Sequence, residues 1–360
     1  MLVHICCAVD SHYFLQKLRE DYPDEKLVGF FYDPNIHPYS EYRLRLLEVE
    51  RSCRQLGIDL IEGPYDTEAW LDAVRGLEHE PEKGRRCAVC FDRRFEVSAA
   101  KAAEIGEKTF TSTLLTSPKK SLEQLRREGE RLAERYDLRF VAPDYRKASG
   151  TQEQNRMAKE ARLYRQDYCG CLYGLTIQRE QQRKLADELF VPLSAQIQPE
   201  SIEERIALYE ERIRLEEQEI PYRIVRERFL NWRLLYGLLR VGKKPTPAHI
   251  LPYSTMKRDF TRGKITERIG PMALLNREEV TFVSLEDFNA VGGWDYRTTI
   301  QLIYDPPSFD DELSARRYFL PGHYDLSPLL IVDRIPDGKV ELTLKSHTFE
   351  DVRERLIPTG

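Results

Sequence analysis

The sequence lacks the long apolar segments that would place it in a membrane or direct it out of the cell. No apolar run approaches the roughly 20 residues that span a bilayer, which excludes a transmembrane protein. The N-terminal segment MLVHICCAVDSHYF has neither a basic start nor an extended apolar stretch, so we expect no secretory signal. The chain is therefore expected to be cytoplasmic, with no membrane partner.

An excess of positive charge is also missing. The formal net charge of −5 gives no general attraction for nucleic acid, which would have to be bound by a local basic patch. The composition, 41% hydrophobic and 32% charged, is typical of a soluble globular chain and excludes disorder. Because 360 residues exceed what one hydrophobic core usually serves, we expect two domains.

The first half of the chain alternates strand-like and helix-like segments. Short apolar runs predict buried strands at Leu2–Cys6, Leu27–Tyr32, Asp59–Glu62, Thr109–Ser112 and Arg139–Ala142. Apolar residues at three- and four-residue spacing predict helices at Ser11–Arg19, Ser40–Leu56, Asp66–Leu77, Phe91–Ile105 and Ser121–Tyr136. Ser40 and Asp66 are expected as N-caps. This alternation predicts an α/β fold, a parallel sheet flanked by helices on both faces.

The pattern changes after about residue 185. Residues 201–219 form a charged helical stretch, and short β-like runs follow from Ile220, namely YRIV, VTFVSL, TTIQLIY, LLIVD and VELTL. Pro and Gly are denser here. We therefore expect a first domain at residues 1–185 and a second, α+β domain at residues 186–360.

Polar residues follow the predicted strands at their carboxyl ends, where parallel sheets form their sites. These residues are Cys6, Cys7 and Asp10 after the first strand, Asp33, Asn35 and His37 after the second, and the segments Thr113–Lys120 and Pro143–Lys147. The segment ICCAVDS after the first strand contains no glycine, which excludes the phosphate loop of an ATP-using enzyme. Cysteines occupy that loop instead.

Cysteine is scarce, yet six of the seven cysteines form close pairs: Cys6–Cys7, Cys87–Cys90 and Cys169–Cys171. An odd number of cysteines and the expected cytosolic location argue against a framework of structural disulfides. They favour metal ligands or redox-active thiols. Cys53 stands alone inside a predicted helix and is expected to be a buried apolar residue.

Cys87 and Cys90 form a CxxC motif before the predicted helix at Phe91, whose N-terminus would lower their pKa values. The motif alone fits half of a structural zinc site equally well, and a thioredoxin-like dithiol less well. Adjacent Cys6 and Cys7 are awkward for tetrahedral zinc, whereas neighbouring thiolates can bind different irons of one cluster. Together the four thiolates would form a [4Fe–4S] site.

Cys169-Gly-Cys171 would close a small strained ring, and strained disulfides are redox-active rather than structural. The alternative is two unrelated reduced thiols. Thr113, Thr116, Ser117 and Lys120 form a hydroxyl- and lysine-rich turn suited to a ribose or phosphate, or to capping a helix at Ser121.

Five segments resemble, in order and spacing, the epoxyqueuosine reductases of the QueH family. They are LVHICCA (Leu2–Ala8), YDPNIHPYSEYRLR (Tyr32–Arg45), RRCAVCFDRR (Arg85–Arg94), TSTLLTSPKK (Thr111–Lys120) and LYRQDYCGCLYG (Leu163–Gly174). The resemblance covers roughly residues 1–185. It implies an adenine-nucleotide hydrolase-like, Rossmann-like fold and the conversion of epoxyqueuosine to queuosine in tRNA, the last step of queuosine biosynthesis.

The resemblance also implies roles for individual residues. It implies that Cys6, Cys7, Cys87 and Cys90 hold a [4Fe–4S] cluster and that Cys169 and Cys171 are a redox-active pair. An additional iron proposed beside the cluster leaves the division of ligands open. An electron donor, unidentified from the sequence, is required. The implied chemistry is a two-electron deoxygenation, with iron as Lewis acid at the epoxide oxygen and release of water.

Further implied roles fall on the second motif. His37 is a proton donor or substrate contact, with an ordinary loop histidine as the alternative. Tyr39, Tyr42 and Arg43 are weaker candidates for substrate contact.

The sequence departs from the family at two places. Many relatives read CCAPC where this chain has CCAVD, so Asp10 occupies the position of a further cysteine and could bind iron or cap the helix at Ser11. The second departure is the additional C-terminal domain.

A local basic stretch lies in that domain. Residues 221–270 contain twelve Lys or Arg against three Asp or Glu, a net charge of +9, with Phe229, Trp232 and Tyr236 among them. The basic residues are Arg223, Arg226, Arg228, Arg233, Arg240, Lys243, Lys244, Lys257, Arg258, Arg262, Lys264 and Arg268. This mixture suits a tRNA backbone and unstacked bases, the alternative being a solvated face.

Two other classes of protein remain as alternatives. One is another iron–sulfur tRNA-modifying reductase or a sulfur-transfer enzyme, and the other is a zinc-stabilised RNA-binding protein.

Overall fold

Five parallel strands form the sheet of the N-terminal part of the chain. In a computed structural model, which describes residues 1–117, 121–147, 149–276, 279–322 and 325–359, these strands run in the order β3-β2-β1-β4-β5. They are β1 (Leu2–Ile5), β2 (Val28–Phe31), β3 (Asp59–Glu62), β4 (Thr109–Ser112) and β5 (Arg139–Phe140). The predicted parallel sheet is confirmed, with strand bounds within two residues of those expected.

The connections between these strands are helical. The helices are α1 (Ala8–Asp21), α2 (Tyr39–Leu56), α3 (Thr67–Ala73), α4 (Arg85–Glu104), α5 (Leu122–Arg135), α6 (Gly150–Glu160) and α7 (Leu172–Gln182), with a short 3₁₀ turn at Thr113–Thr116. The strand order reverses between β1 and β4, and a crevice opens at such a reversal beyond the carboxyl ends of the strands.

Burial on both faces of the sheet accounts for its apolar strands. All four residues of β1 are buried, and Phe14 and Leu15 of α1 and Phe95 of α4 pack in the same core. Each such side chain contributes about 1.5–3 kcal/mol when fully buried. Cys53 belongs to this core, as predicted.

Helix α1 begins three residues before the predicted Ser11, and the starts or capping contacts of three further helices also differ from the predictions. Helix α4 begins at Arg85 rather than Phe91, so the CxxC motif lies within the helix and not before it. Ser40 lies inside α2, which begins one residue earlier. Asp66 occupies the N-cap position of α3, but its carboxylate accepts a hydrogen bond from the Tyr32 hydroxyl at 2.9 Å and makes no cap bond.

Two compact units divide the chain: residues 1–186 with 209–214, and residues 187–208 with 215–360. The second unit contains a mixed sheet in the order β10-β11-β12-β13-β8 and an antiparallel sheet in the order β7-β6-β14-β9. Its strands are β6 (Tyr222–Val241), β7 (Lys244–Thr246), β8 (His249–Ile250), β9 (Phe260–Gly263), β10 (Ile265–Ile269), β11 (Met272–Leu275), β12 (Val280–Ser284), β13 (Leu329–Val332) and β14 (Val340–Pro358).

Helices complete the α+β character that was predicted for this part of the chain. They are α8 (Ile202–Glu217), whose residues 209–214 group with the first unit, α9 (Leu285–Gly292), α10 (Thr299–Tyr304) and α11 (Phe309–Phe319). The predicted strand TTIQLIY is wrong, because Thr298 caps helix α10 by accepting from the Gln301 N–H at 3.2 Å. Among the described helices, none is both long enough and apolar enough to cross a bilayer.

Candidate active site

A cavity of about 220 Å³ in the first unit gathers most of the predicted cysteines. The residues that follow β1, β2 and β4 contribute to its lining, which places it at the carboxyl ends of these strands. The predicted site residues in the lining are Cys6, Asp10, Cys87, Cys90, Ser117, Cys169 and Cys171. Residues far apart in sequence therefore meet at the crevice that the strand order creates.

Cys6, Cys7 and Asp10 form a tight group at the start of α1. Their ligand atoms lie within 4.8 Å of one another, and in the described ranges this is the one such group of three His, Cys or acidic residues. Cys6 Sγ lies 4.0 Å from Cys7 Sγ and 3.7 Å from Asp10 Oδ2. Cys7 occupies the N-cap position, so Asp10 is in the first helical turn and the alternative of Asp10 as helix cap is wrong.

Neighbouring polar groups fix this arrangement. The Cys6 backbone N–H donates to the Thr113 hydroxyl at 3.3 Å, which links the loop after β1 to the turn after β4. Gln154 of α6 donates to the other oxygen of Asp10 at 2.7 Å. The carboxylate is therefore held with one oxygen toward Cys6.

The electrostatics favour a thiolate at Cys6. A hydrogen bond with the Cys7 thiol, aided by the Arg94 guanidinium, lowers the pKa of Cys6 to about 5 against the opposing effect of burial. The same hydrogen bond and burial raise the pKa of Cys7. Burial and the neighbouring Cys6 raise the pKa of Asp10 to about 8.

The CxxC motif presents its thiols from the first two turns of α4. The Lys83 backbone N–H donates to Cys87 Sγ at 3.3 Å. Burial raises the pKa of Cys90 to about 11, so the lowering that was predicted from a helix N-terminus is wrong for this residue. The guanidinium of Arg94, one turn further along α4, opposes this rise.

The CGC loop is bound to the loop after β2. The His37 N–H donates to the Gly170 carbonyl at 2.8 Å, and Arg45 of α2 donates to the Cys169 carbonyl at 3.2 Å. Gly170 has φ +102°, and a Cβ there would lie 2.8 Å from Ile36 Cγ1, so this position requires glycine.

No disulfide joins Cys169 and Cys171 in the structure, so the predicted disulfide is not observed. A hydrogen bond with Cys169, together with burial, raises the pKa of Cys171. The two side chains are therefore close neighbours.

The remaining predicted residues that the structure describes are not part of the cavity lining. His37 is half-buried beside the CGC loop, and burial lowers its pKa. Thr113 is buried against Cys6, whereas Tyr39 and Arg43 are exposed on α2. Lys120 lies outside the residues that the structure describes.

Two smaller predictions have clear outcomes. Tyr42 is buried and donates to Glu62 at 3.0 Å, which makes it a packing residue. Thr116 is buried and donates to the Thr113 carbonyl at 2.7 Å, and Ser121 caps α5 itself.

Several charged residues of the site were not predicted from the sequence. Arg94 forms a buried ion pair with Asp33, and both line the cavity. Arg45 and Arg86 also line it. Arg94 and Arg45 stand within the segments that carried the family resemblance, but nothing in their spacing indicated that they would meet. No feature of the sequence indicated that Gln154 would belong to the site.

Ion pairs occupy part of the basic stretch of the second unit. Arg226 and Arg228 pair with Glu354 and Glu350 across β6 and β14, at 3.2 and 3.0 Å. Arg233 is buried and pairs with Asp187 at 2.6 Å. These three were expected at a nucleic-acid surface, and the pairing partners come from sequence segments outside the stretch.

Some aromatic residues in and near the basic stretch are buried, and others are exposed. Trp232 is buried and donates to the Ser254 carbonyl at 3.1 Å, so its expected contact with bases is wrong. Tyr236 remains 50% exposed, and so does Phe260 at 51%. Register places both on the open face of the antiparallel sheet, together with Arg240, Arg262 and Lys345.

Comparison with known proteins gives a consistent family. A family profile described as "Epoxyqueuosine reductase QueH" matches residues 1–176. The "Epoxyqueuosine reductase QueH" of Helicobacter pylori is 38% identical over 358 residues, covering 96% of this chain and 97% of the relative. The chain belongs to the QueH family. Relatives from Histophilus somni and Thermotoga maritima are 40% and 33% identical, over 49% and 52% of this chain and 72% and 95% of their own lengths.

A solved structure adds little to this family assignment. The predicted subunit of a tRNA methyltransferase from Methanocaldococcus jannaschii superposes with a TM-score of 0.34 and 14% identity, over 52% of this chain and 91% of that chain. A score at that level bears on neither fold nor function.

The donor set of the cavity fits an iron–sulfur group. Thiolates are the ligands of such clusters, and five cysteines line the cavity. The Sγ atom of Cys7 lies 4.0 Å from that of Cys6. Buried guanidiniums of Arg45, Arg86 and Arg94 would offset the negative charge of several thiolates. A carboxylate beside the thiolates offers a harder ligand for iron.

Proposed function

We propose that this QueH family member reduces epoxyqueuosine to queuosine in tRNA, in the cytoplasm. The observation that carries the proposal is the cavity at the sheet's carboxyl edge, where cysteines from three separate motifs and Asp10 meet. Family membership supports the same reaction, since the relatives carry the name of this activity.

Cys6, Cys7, Cys87 and Cys90 would hold a [4Fe–4S] cluster, and Asp10 would offer a carboxylate oxygen to an additional iron. When bound, these groups supply an electron relay and a Lewis acid for the epoxide oxygen. Gln154 and Thr113 keep Asp10 and Cys6 in place through the hydrogen bonds described above. These two hydrogen bonds thus orient Asp10 and Cys6 toward the cavity.

Cys169 and Cys171 are proposed to deliver electrons or to hold the second iron. Deoxygenation breaks both carbon–oxygen bonds of the epoxide, forms a carbon–carbon double bond and releases water, which takes up two electrons and two protons. Oxidation of two thiols to a disulfide releases two electrons and two protons. An external donor then reduces the pair again. Support comes from the position of both side chains in the cavity lining and from the hydrogen bond between them.

His37, Tyr39, Arg43, Thr113, Ser117 and Lys120 are proposed to contact the substrate. Ser117 lines the cavity, and His37 lies against the CGC loop through its backbone. Tyr39 packs on Tyr65 at 5.0 Å between ring centroids while remaining exposed, which leaves an aromatic surface for a nucleobase.

Residues 1–185 are proposed as the reductase domain and residues 186–360 as an accessory domain that contacts tRNA. The support is the open face of the antiparallel sheet, where Tyr236 and Phe260 lie among Arg240, Arg262 and Lys345. Exposed aromatic rings with nearby cations suit unstacked bases and phosphates.

The experiment is turnover by the full chain, purified anaerobically, on tRNA that carries epoxyqueuosine, with a chemical reductant. Conversion to queuosine, in a brown protein that contains iron and sulfide, is the expected result. A colourless protein with stoichiometric zinc and no conversion would favour the zinc-stabilised RNA-binding alternative.

A further inference from the structure

Two buried hydrogen-bond acceptors in the cavity lining stand without a donor. Asp33 and Asn35 follow β2 and are only 1% and 3% exposed. Within the described part of the chain, Asp33 Oδ2 and Asn35 Oδ1 have no hydrogen-bond partner. Buried acceptors are nearly always satisfied, so two such atoms in one cavity point to donors supplied by a ligand.

The charges around these acceptors restrict what the donors can be. The other oxygen of Asp33 forms the ion pair with Arg94, and Arg45 lines the same cavity. The carboxylate is therefore already balanced by a cation, and a second cationic group would meet the guanidiniums of Arg94 and Arg45. Neutral hydroxyl donors suit an amide oxygen and a balanced carboxylate better than an ammonium does.

We infer that Asp33 and Asn35 accept hydrogen bonds from the two ring hydroxyls of the substrate's cyclopentane diol and so orient its epoxide. This inference rests on the proposed function, because epoxyqueuosine is the substrate that carries a diol beside the epoxide. Cys6 and Asp10 line the same cavity, so a ring held by Asp33 and Asn35 is confined with the candidate metal ligands. Asp33 and Asn35 are positioning residues and do not themselves react.

The test compares two tRNA ligands on the anaerobically purified, metal-loaded full chain. One tRNA carries queuosine, which retains the diol, and the other carries 7-aminomethyl-7-deazaguanosine, which keeps an amine but lacks the ring. Asn35→Ala should weaken binding of the queuosine tRNA by roughly 5- to 10-fold, the size of one neutral hydrogen bond, and leave binding of the other unchanged. Equal loss on both ligands, or no loss on either, would overturn the inference.

Asp33→Asn keeps the size of the side chain but leaves Arg94 without its ion-pair partner, so this variant carries a risk of misfolding. Asn35→Ala breaks no ion pair, so it is the variant used in the test. Asn289→Ala is the matched control, since Asn289 Oδ1 is also a buried acceptor without a partner but lies in the second unit. It should leave both affinities unchanged.

Iron and sulfide content separates substrate positioning from metal binding. Asn35→Ala should retain wild-type iron and sulfide, and a loss of iron would contradict the inference by making Asn35 part of a metal site. Wild-type turnover distinguishes the two proposals. If the wild-type chain converts epoxyqueuosine but Asn35→Ala binds both tRNAs normally, only the present inference fails. If the wild-type chain shows no conversion, the proposed function fails.

Discussion

Cys6 is the residue through which the parts of the site are connected. Its thiol lies next to Cys7 and Asp10, its backbone is bound by Thr113, and Arg94 stabilises its thiolate. The sequence indicated the thiols, because cysteines at strand ends are informative by type and spacing. It could not indicate Arg94, because a guanidinium in a charged helix normally lies on the surface.

The cysteine ligands can be tested one residue at a time. Serine is a poorer ligand for iron than thiolate, so Cys6→Ser, Cys7→Ser, Cys87→Ser and Cys90→Ser should each lose most bound iron and sulfide. The measurement is iron and acid-labile sulfide per chain after anaerobic purification. Cys53→Ser is the control, since Cys53 is buried in the apolar core, and it should retain the metal. Full occupancy in Cys87→Ser would refute the ligand assignment.

The CGC pair separates cluster binding from turnover. Cys169→Ala and Cys171→Ala should keep the visible spectrum of the [4Fe–4S] cluster yet abolish conversion of epoxyqueuosine, because neither electron delivery nor the second iron survives the removal of a thiol. Spectra and single-turnover product analysis are the measurements. A wild-type rate in either variant would show that the pair has no part in the reaction.

The elements of the first unit were predictable because apolar residues recur at helix or strand spacing in segments bounded by polar loops. The start of α4 was missed because Arg85–Cys90 carries no apolar stripe, and Arg86 is nonetheless buried, donating to the Glu78 carbonyl at 2.8 Å. Helix α10 was mistaken for a strand because its β-branched and aromatic residues outweighed the short capping signal at Thr298.

A buried ion pair between α2 and the 209–214 segment of α8 provides a test at this scale. Arg212 is fully buried, pairs with Glu48 and donates to the Arg162 carbonyl at 2.8 Å. Arg212→Ala removes the closer of two cations at the buried Glu48 carboxylate, leaving Arg51 at 4.0 Å, and should lower the free energy of unfolding by about 3–5 kcal/mol.

Urea unfolding of the full chain measures this effect. The control is Arg214→Ala, whose exposed ion pair with Glu211 should contribute at most about 1 kcal/mol. A decrease of similar size in both variants would mean that the buried pair has no special role in the first unit.

At the scale of the whole molecule, the structure and function of the first unit could be predicted from the sequence further than those of the second unit. The family profile ends at residue 176, whereas the Helicobacter pylori relative matches over almost the whole chain, so the second unit is shared with that relative. The basic stretch was visible in sequence, but its ion pairs were not, because Glu350 and Glu354 lie more than a hundred residues away.

The expectation that the basic stretch of the second unit contacts tRNA can be tested at the β6–β7 turn, where two adjacent lysines lie. Lys243→Glu with Lys244→Glu should weaken tRNA binding and reduce the log–log salt slope by about 0.7 to 0.9 for each phosphate that the variant no longer neutralises. The pair Arg226→Glu with Arg233→Glu is unsuitable, since Arg233 is buried with Asp187. Filter binding across a salt series gives both quantities.

A charge-matched control is Arg127→Glu with Arg131→Glu, two exposed residues of α5. Affinity and salt slope should stay at wild-type values in this control, and the cluster spectrum should be unchanged in both double variants. An unaltered salt slope in the double variant of Lys243 and Lys244 would show that this turn does not contact tRNA phosphates.

The most direct test of the central claim is the nucleoside composition of tRNA from cells that lack this gene. We expect epoxyqueuosine to accumulate at the expense of queuosine, wild-type protein to restore queuosine, and Cys87→Ser to fail in doing so. Normal queuosine and no epoxyqueuosine in those cells would contradict the account.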